Sequence, residues 1–215
     1  MQTLIYMIRH GESTGNKRRH FLGHTDGALT DLGEAQAARA GAYLAKMGVR
    51  PDAVYASPLR RAYKTAVLAA APVFDGEVVA RQGLSEIYAG EWEDLAFDEI
   101  ALRYPEGMAV WRENLVYAHP AGGERVRDLF SRVTEEVLHL ARENRGKTLL
   151  IGSHATPIRS VETFARGKTF EGMKDLPWPA NASLSAYLCD GERIFPLFYS
   201  YNAYLSELAA RPLLP

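Results

Sequence analysis

The sequence has little of what would tie it to an oxidising compartment, a membrane or a polyanion. It contains one cysteine, Cys189, among 215 residues, so no disulfide can form within the chain. No apolar run approaches the roughly 20 residues that a membrane-spanning helix needs, so we expect no membrane partner. Lys and Arg total 25 against 26 Asp and Glu, a formal net charge of −1. So balanced a charge argues against a nucleic-acid partner.

The composition is that of a soluble globular protein. Hydrophobic residues make up 47% and charged residues 24% of the sequence, which excludes a disordered tail, a collagen and a coiled coil. The length suits one domain, and we predict a single domain over 1–215 with a small insertion near 87–121. The N-terminal stretch reaches Arg9 and His10 too soon to hold a signal-peptide core, so we expect a cytoplasmic protein.

Short apolar runs alternate with helical stripes along the chain. The predicted strands are buried runs or members of a hairpin and span residues 4–8, 53–56, 148–152, 183–189 and 194–199. Apolar residues at helical spacing predict helices over about 31–48, 57–71 and 126–140. Asp31 or its rival Thr30 would cap the first helix and Ser57 the second. This alternation predicts an α/β fold, a three-layer α/β/α sandwich around a mainly parallel sheet with a small helical insertion.

Charged and nucleophilic side chains directly follow three of the predicted strands. Arg9 and His10 follow the first strand, Arg61 lies just after the second, and His154 follows the last parallel strand. Ligands of open α/β sheets bind beyond the carboxyl ends of the strands, so we expect these side chains to meet on one rim. Two histidines and several arginines on one rim predict an anion site.

These residue types suit phosphate chemistry in particular. A guanidinium matches phosphate oxygens in a bidentate fork. At about 4 Å and an effective dielectric of about 20, each such charge pair contributes about 4 kcal/mol before desolvation. A neutral imidazole can attack phosphorus while arginines offset charge on the transferring oxygens. A carboxyl group beside a bound phosphate dianion has a raised pKa, which suits protonation of the leaving oxygen.

Five motifs in order resemble the signature of the histidine phosphatase superfamily, which includes the cofactor-dependent phosphoglycerate mutases. In chain order they are Arg9-His10-Gly11-Glu12 with Asn16, Ser57-Pro58-Leu59-Arg60-Arg61-Ala62 with Thr65-Ala66, Leu84-Ser85-Glu86 before Gly90-Glu91-Trp92-Glu93, Gly122-Gly123-Glu124, and Gly152-Ser153-His154 with Ile158-Arg159. The matches span residues 9–159, and nothing beyond Arg166 is diagnostic.

The resemblance implies phosphoryl transfer through a phosphohistidine at His10. Glu86 would protonate the leaving alcohol and then activate water, although nearby carboxylates at Glu12, Glu91 and Glu93 are rivals for that role. The groups that hold the phosphoryl oxygens would be Arg9, Arg61 and His154, with Asn16 assisting. The resemblance implies neither a metal nor an organic cofactor.

The resemblance implies further residues around the phosphate and the substrate. Leu22, Gly23 and Ala155 would line the phosphate and substrate site. Leu22 stands where the family often has a polar residue, and Ala155 stands where glycine is common. His20 and His24 have the spacing of a helical metal pair, but Gly23 between them predicts a loop, so we expect no metal.

We predict a phosphatase that hydrolyses small phosphate monoesters, with a small phosphorylated metabolite as its partner. The span between Glu86 and His154 is short, Arg103 and Arg112 occur singly rather than as a pair, and the Gly-Gly-Glu motif is common in phosphatase branches. A cofactor-dependent phosphoglycerate mutase stays open as the alternative. A non-catalytic phospho-ligand binding module, a metal-dependent hydrolase and a homodimeric assembly stay open as well.

Overall fold

A six-stranded sheet forms the centre of the protein in the computed structural model, which describes residues 1–209. The strands of the chain are β1 (Thr3–Arg9), β2 (His20–Phe21), β3 (Ala53–Ala56), β4 (Val78–Ala80), β5 (Leu95–Ala96), β6 (Thr148–Ser153), β7 (Leu184–Cys189) and β8 (Ile194–Tyr201). The central sheet has the order β4-β3-β6-β1-β7-β8, with β2 and β5 paired separately. The first four are mutually parallel, whereas β7 and β8 run antiparallel. The predicted mainly parallel α/β sheet is therefore confirmed.

Helices cover both faces of this sheet. The α-helices within residues 1–209 are α1 (Thr14–Arg18), α2 (Asp31–Lys46), α3 (Arg60–Ala70), α4 (Phe97–Arg103), α5 (Pro105–Asn114), α6 (Val126–Glu143), α7 (Ala155–Ala165) and α8 (Ser206–Ala209). Ile5 and Met7 of β1 belong to the core shared with α6 and α7, and Ile8 belongs to the core shared with α2 and α3. The sheet therefore lies between two layers of helices, as the predicted three-layer sandwich requires. The predicted domain extends to residue 215, and residues 210–215 lie outside the described part.

The structure identifies the residues that cap the two predicted helices α2 and α3. Thr30, the rival of Asp31, caps α2, because its hydroxyl accepts from the Gly33 N–H at 3.1 Å. The prediction that Ser57 caps α3 is wrong, since that helix begins at Arg60 after an N-cap, Leu59, without a side-chain bond. The Ser57 hydroxyl accepts from the Leu59 N–H at 3.3 Å, before the helix begins, and lies 2.8 Å from a ring nitrogen of His154.

The segment between β1 and α2 contains the short helix α1 and the short strand β2. Ser13 caps α1, with its hydroxyl accepting from the Asn16 N–H and its own N–H donating to Asn16 Oδ1. Strand β2 then pairs with β5, which lies inside the predicted 87–121 insertion. The insertion also contains α4 and α5, so this pairing joins the insertion to the segment that follows His10.

None of the helices within residues 1–209 combines the length and the apolar character that a membrane span requires.

Candidate active site

The carboxyl ends of β1, β3 and β6 bring the predicted site residues together. Arg9 pairs in register with Ser153 of the neighbouring parallel strand, and the His10 N–H donates to the Ser153 carbonyl at 2.9 Å. His10 and His154 therefore leave their strands side by side. Their ring centroids are 5.3 Å apart and their planes are inclined by 61°.

A cavity of about 360 Å³ opens at this edge of the sheet. Its lining residues are Arg9, His10, Ser13, Asn16, His20, Phe21, Leu22, Gly23, Arg61, Glu86, Phe97, Trp111, Ala155, Thr156 and Trp178. Every predicted site residue except His154 lines it. His154 is completely buried beside His10, behind the cavity wall.

His10 is placed to act as a neutral nucleophile. Its Nδ1 lies 2.8 Å from the Gly11 carbonyl, which can only accept, so Nδ1 carries the proton and Nε2 keeps its lone pair. Burial, and then the positive charges of Arg61 and Arg9, hold the pKa of His10 well below its usual value. The ring is therefore uncharged at neutral pH, with the tautomer that a nucleophilic Nε2 requires.

His154 is neutral for similar reasons. Burial first, and then the charge of Arg61, hold its pKa well below the usual value for histidine. Its Nε2 lies 2.8 Å from the Ser57 hydroxyl, and its Nδ1 has no hydrogen-bond partner among the described residues. Ser57 thus fixes the ring plane of His154 next to the ring of His10.

Two guanidinium groups at the cavity, that of the buried Arg61 and that of the partly buried Arg9, donate to backbone carbonyls. Arg61 donates to the Gly23 carbonyl at 2.6 Å and to the Thr25 carbonyl at 3.0 Å, and Arg9 donates to the Pro179 carbonyl. Burial lowers the pKa of Arg9 to about 10 and also lowers that of Arg61, so both stay cationic at pH 7. Arg60 instead lies at the surface, with its guanidinium 3.9 Å from Asp26.

Glu86 is the one of the four candidate carboxylates that lines the cavity, as far as residues 1–209 are described. Its Oε1 accepts from the Ile87 N–H at 2.9 Å. The three rivals are bound elsewhere. Glu12 accepts from the Thr30 hydroxyl, Glu91 from the Tyr104 hydroxyl, and Glu93 from the His24 N–H.

The Gly-Gly-Glu motif supports the backbone of Glu86 through a residue that the sequence did not single out. Both carboxylate oxygens of Glu124 accept from Arg132, at 2.9 and 2.8 Å. The same guanidinium donates to the carbonyls of Gly83, Ser85 and Glu86. Arg132 therefore fixes the segment that carries the carboxylate, by contacts between parts of the chain distant in sequence.

The predicted substrate-site residues play partly structural roles. Asn16 uses its Oδ1 to accept from Ser13, and Gly23 offers its carbonyl to Arg61. Gly23 has a φ of +51°, and an added Cβ would lie 2.1 Å from a Glu93 oxygen, so a side chain does not fit there. Leu22 and Ala155 add apolar surface to the cavity.

Asn181 is a site residue that sequence reasoning missed. Its side-chain amide donates to the His10 carbonyl at 3.0 Å and to Asn16 Oδ1 at 3.1 Å. The preceding Pro179 receives Arg9. The unusual Pro-Trp-Pro spacing over 177–179 was the one local signal of a rigid segment there.

The side chains of His20 and His24 contact different backbone carbonyls in the structure. His20 Nδ1 lies 2.8 Å from the Asp94 carbonyl, and His24 Nε2 lies 2.8 Å from the Glu86 carbonyl. Within the described part of the chain, no group of three or more His, Cys, Asp or Glu residues is placed to hold a metal ion.

Two buried neutral histidines predict a specific dependence of stability on pH. The unfolded chain protonates His10 and His154 below pH 6.5 and the folded chain does not, so the free energy of unfolding falls as the pH drops below 6.5. Each ring contributes up to about 1.4 kcal/mol per pH unit. Urea unfolding between pH 7.5 and 5.5, in phosphate-free buffer, measures this slope. His154→Gln should remove about half of it, and a stability that does not change over this range would contradict the neutral assignment.

Comparisons with known proteins agree with this geometry. The profile of the histidine phosphatase superfamily (branch 1) matches residues 5–200. A 2,3-bisphosphoglycerate-dependent phosphoglycerate mutase of Bartonella henselae is 30% identical over 208 residues, 94% of each chain. Bacillus stearothermophilus YhfR superposes with a TM-score of 0.87 at 25% identity, covering 94% of this chain and 99% of that one.

A phosphatase structure is similar as well. The mycobacterial glucosyl-3-phosphoglycerate phosphatase in complex with VO3 superposes with a TM-score of 0.81 at 25% identity, covering 93% of this chain and 98% of that one. The relatives thus include both mutases and phosphatases. Because the family profile covers most of the chain, and the sheet carries its two histidines at adjacent strand ends, the chain belongs to the histidine phosphatase superfamily.

Proposed function

We propose that this protein is a phosphatase that hydrolyses small phosphate monoesters through a phosphohistidine intermediate. The observation that carries the proposal is His10, a neutral imidazole with its proton on Nδ1, in a cavity with the guanidinium groups of Arg9 and Arg61. A lone pair beside two fixed cations suits attack on an anionic phosphorus centre.

The proposed reaction has two steps, phosphorylation of His10 and hydrolysis of the phosphohistidine. In the first, His10 Nε2 forms a bond to phosphorus while the ester P–O bond breaks, and Glu86 gives its proton to the leaving alcohol. In the second, Glu86 takes a proton from water, the water oxygen bonds to phosphorus, and the P–N bond breaks to release phosphate. Arg9 and Arg61 stabilise the phosphoryl oxygens in both steps, and His154, behind the cavity wall, packs against the ring of His10.

The charge of the cavity favours hydrolysis over mutase chemistry. A phosphoglycerate mutase must bind a carboxylate and a second phosphate, and each such buried charge needs a cationic partner. Arg103 is exposed and paired with Glu99, Arg112 is exposed, and neither lines the cavity. The lining beyond Arg9 and Arg61 is largely apolar or uncharged.

Two other functions, a phosphoglycerate mutase and a non-catalytic binding module, are each judged by a specific observation. The mutase alternative is favoured by the Bartonella henselae relative, whose name states that activity. A non-catalytic binding module would usually lack one catalytic side chain, whereas here His10, Glu86 and both arginines lie at the same cavity.

We expect phosphate release from general monoesters to exceed interconversion of 2- and 3-phosphoglycerate, even with bisphosphoglycerate supplied. The measurement is a coupled mutase assay beside a phosphate-release assay on one preparation. Mutase turnover above roughly 10 s⁻¹ with negligible hydrolysis would reverse the ranking. Repeating the release assay in excess EDTA is the control for a metal-dependent hydrolase, and we expect no loss of rate.

A further inference from the structure

Trp178 is a large apolar side chain that lines the cavity while much of it stays in contact with solvent. Its exposed fraction is 47%, and it shares the cavity with His10 and Arg9. Ligand cavities are typically lined by aromatic side chains with a few placed polar groups. An exposed indole at this position therefore offers a contact surface to whatever is attached to a phosphoryl group at His10.

The chain holds Trp178 rigidly and connects it to the phosphate-binding groups. Pro177 and Pro179 flank it, and each has its backbone φ fixed by the ring. The Tyr199 hydroxyl donates to the Pro177 carbonyl at 2.7 Å, and Arg9 donates to the Pro179 carbonyl. The same segment continues to Asn181, which donates to the His10 carbonyl.

One face of the indole is covered from inside the protein by Arg159. The guanidinium carbon lies 4.1 Å from the centroid of the Trp178 ring, a cation–π distance. Arg159 is itself buried, and it donates to the carbonyls of Met173 and Leu176, both at 2.7 Å. The contact with Arg159 therefore restrains the plane of the indole before a ligand binds, which lowers the entropy cost of binding.

A second indole, that of Trp111, packs beside Trp178 in the lining of the cavity. Trp111 of α5 lies with its ring centroid 6.0 Å from that of Trp178, at an interplanar angle of 26°. Trp111 also contacts Phe21 edge-on, at a centroid distance of 4.9 Å. Phe21, Phe97 and the two indoles form an apolar wall of the cavity that we call the aromatic wall.

We infer that Trp178 is a specificity-determining residue, which binds a flat aromatic group on the alcohol part of the substrate. The substrate class is then aryl and arylalkyl phosphate monoesters. The inference rests on the proposed function, because a phosphoryl group held at His10 directs its organic part toward the aromatic wall. A cavity of about 360 Å³ has room for one or two rings beside the phosphoryl group.

The test compares two esters whose leaving groups are both primary alkoxides, 2-naphthylmethyl phosphate and n-butyl phosphate. We expect kcat/KM for the naphthylmethyl ester to be at least about tenfold higher in the unaltered protein. Trp178→Ala should lower that value about tenfold, mainly through KM, and should change the butyl ester less than about threefold. Trp178→Phe should retain most of the preference, because it keeps an aromatic face.

Two controls separate recognition from support of Arg9. The inhibition constant of inorganic phosphate should not change in Trp178→Ala, because the phosphoryl-binding groups remain in place. Tyr117→Ala removes another exposed aromatic side chain that lies outside the cavity, and it should affect neither ester.

Two results would overturn the inference while leaving the proposed function intact. One is equal rates for the two esters in the unaltered protein. The other is an equal loss on both esters in Trp178→Ala together with weaker phosphate inhibition, which would mean that Trp178 only supports Arg9. No phosphate release from any monoester, p-nitrophenyl phosphate included, would instead reject the proposed function and the inference with it.

Discussion

Replacing His10 with alanine is expected to lower turnover by about 10⁴-fold or more and to remove the covalent intermediate entirely. The reason is that, within residues 1–209, the imidazole next to His10 cannot take its place. The neighbouring ring, His154, lies behind the cavity wall with its Nε2 bonded to Ser57. The arginines of the variant would still bind phosphate, so binding and chemistry should separate.

The measurement is direct detection of the phosphoenzyme. Brief incubation with a labelled phosphomonoester and an alkaline quench should leave acid-labile, base-stable label on the unaltered protein and none on His10→Ala. His139→Ala is a matched control, since His139 pairs with Glu143 on the exposed side of α6. Label that persists in His10→Ala would remove His10 as the nucleophile.

The charge balance of the site suits the phosphate group of the proposed substrate. Arg61 is buried and Arg9 partly buried, both with carbonyl partners, and Glu86 is the one carboxylate lining the cavity among the residues described. Burial first, and then the positive charges of the two arginines, lower the pKa of both histidines and keep them neutral. A bound phosphate dianion would offset this excess of positive charge.

Much of this arrangement could be predicted from local sequence. An apolar run that ends in Arg9 and His10 predicts both a buried strand and the place where it delivers its side chains. The same holds for β6 and His154. Parallel strands put these ends at one edge of the sheet, so strand order was not needed to expect the two histidines together.

What local sequence could not predict depends on contacts between distant segments. Ser57 is a good helix cap by composition, but its hydroxyl bonds to His154, which is 97 positions away. Asn181 reaches the His10 carbonyl from 171 positions away, and Arg132 reaches the backbone of Glu86 from α6. Such partners have no periodic signal, because one side chain and one carbonyl suffice. Strand β4 escaped prediction for another reason, since its three residues are too short to show a pattern.

Glu86→Gln is expected to slow hydrolysis of alkyl phosphates by about 10²–10⁴-fold, because an alkoxide is a poor leaving group without a proton. Glutamine keeps the shape of the side chain and an oxygen that can accept from the Ile87 N–H. It has no acidic proton to give. The loss should shrink for p-nitrophenyl phosphate, whose leaving group hardly needs protonation.

The dependence on the leaving group therefore tests the role of Glu86 independently of its effect on folding or binding. Logarithms of kcat/KM plotted against the acidity of the leaving alcohol should give a shallow line for the unaltered protein and a steep one for Glu86→Gln. Glu91→Gln is the matched control, because Glu91 bonds to Tyr104 outside the cavity, and its line should match that of the unaltered protein. If the line for Glu86→Gln is lower but parallel, the carboxylate stabilises the site without donating the proton, and the acid must be another group.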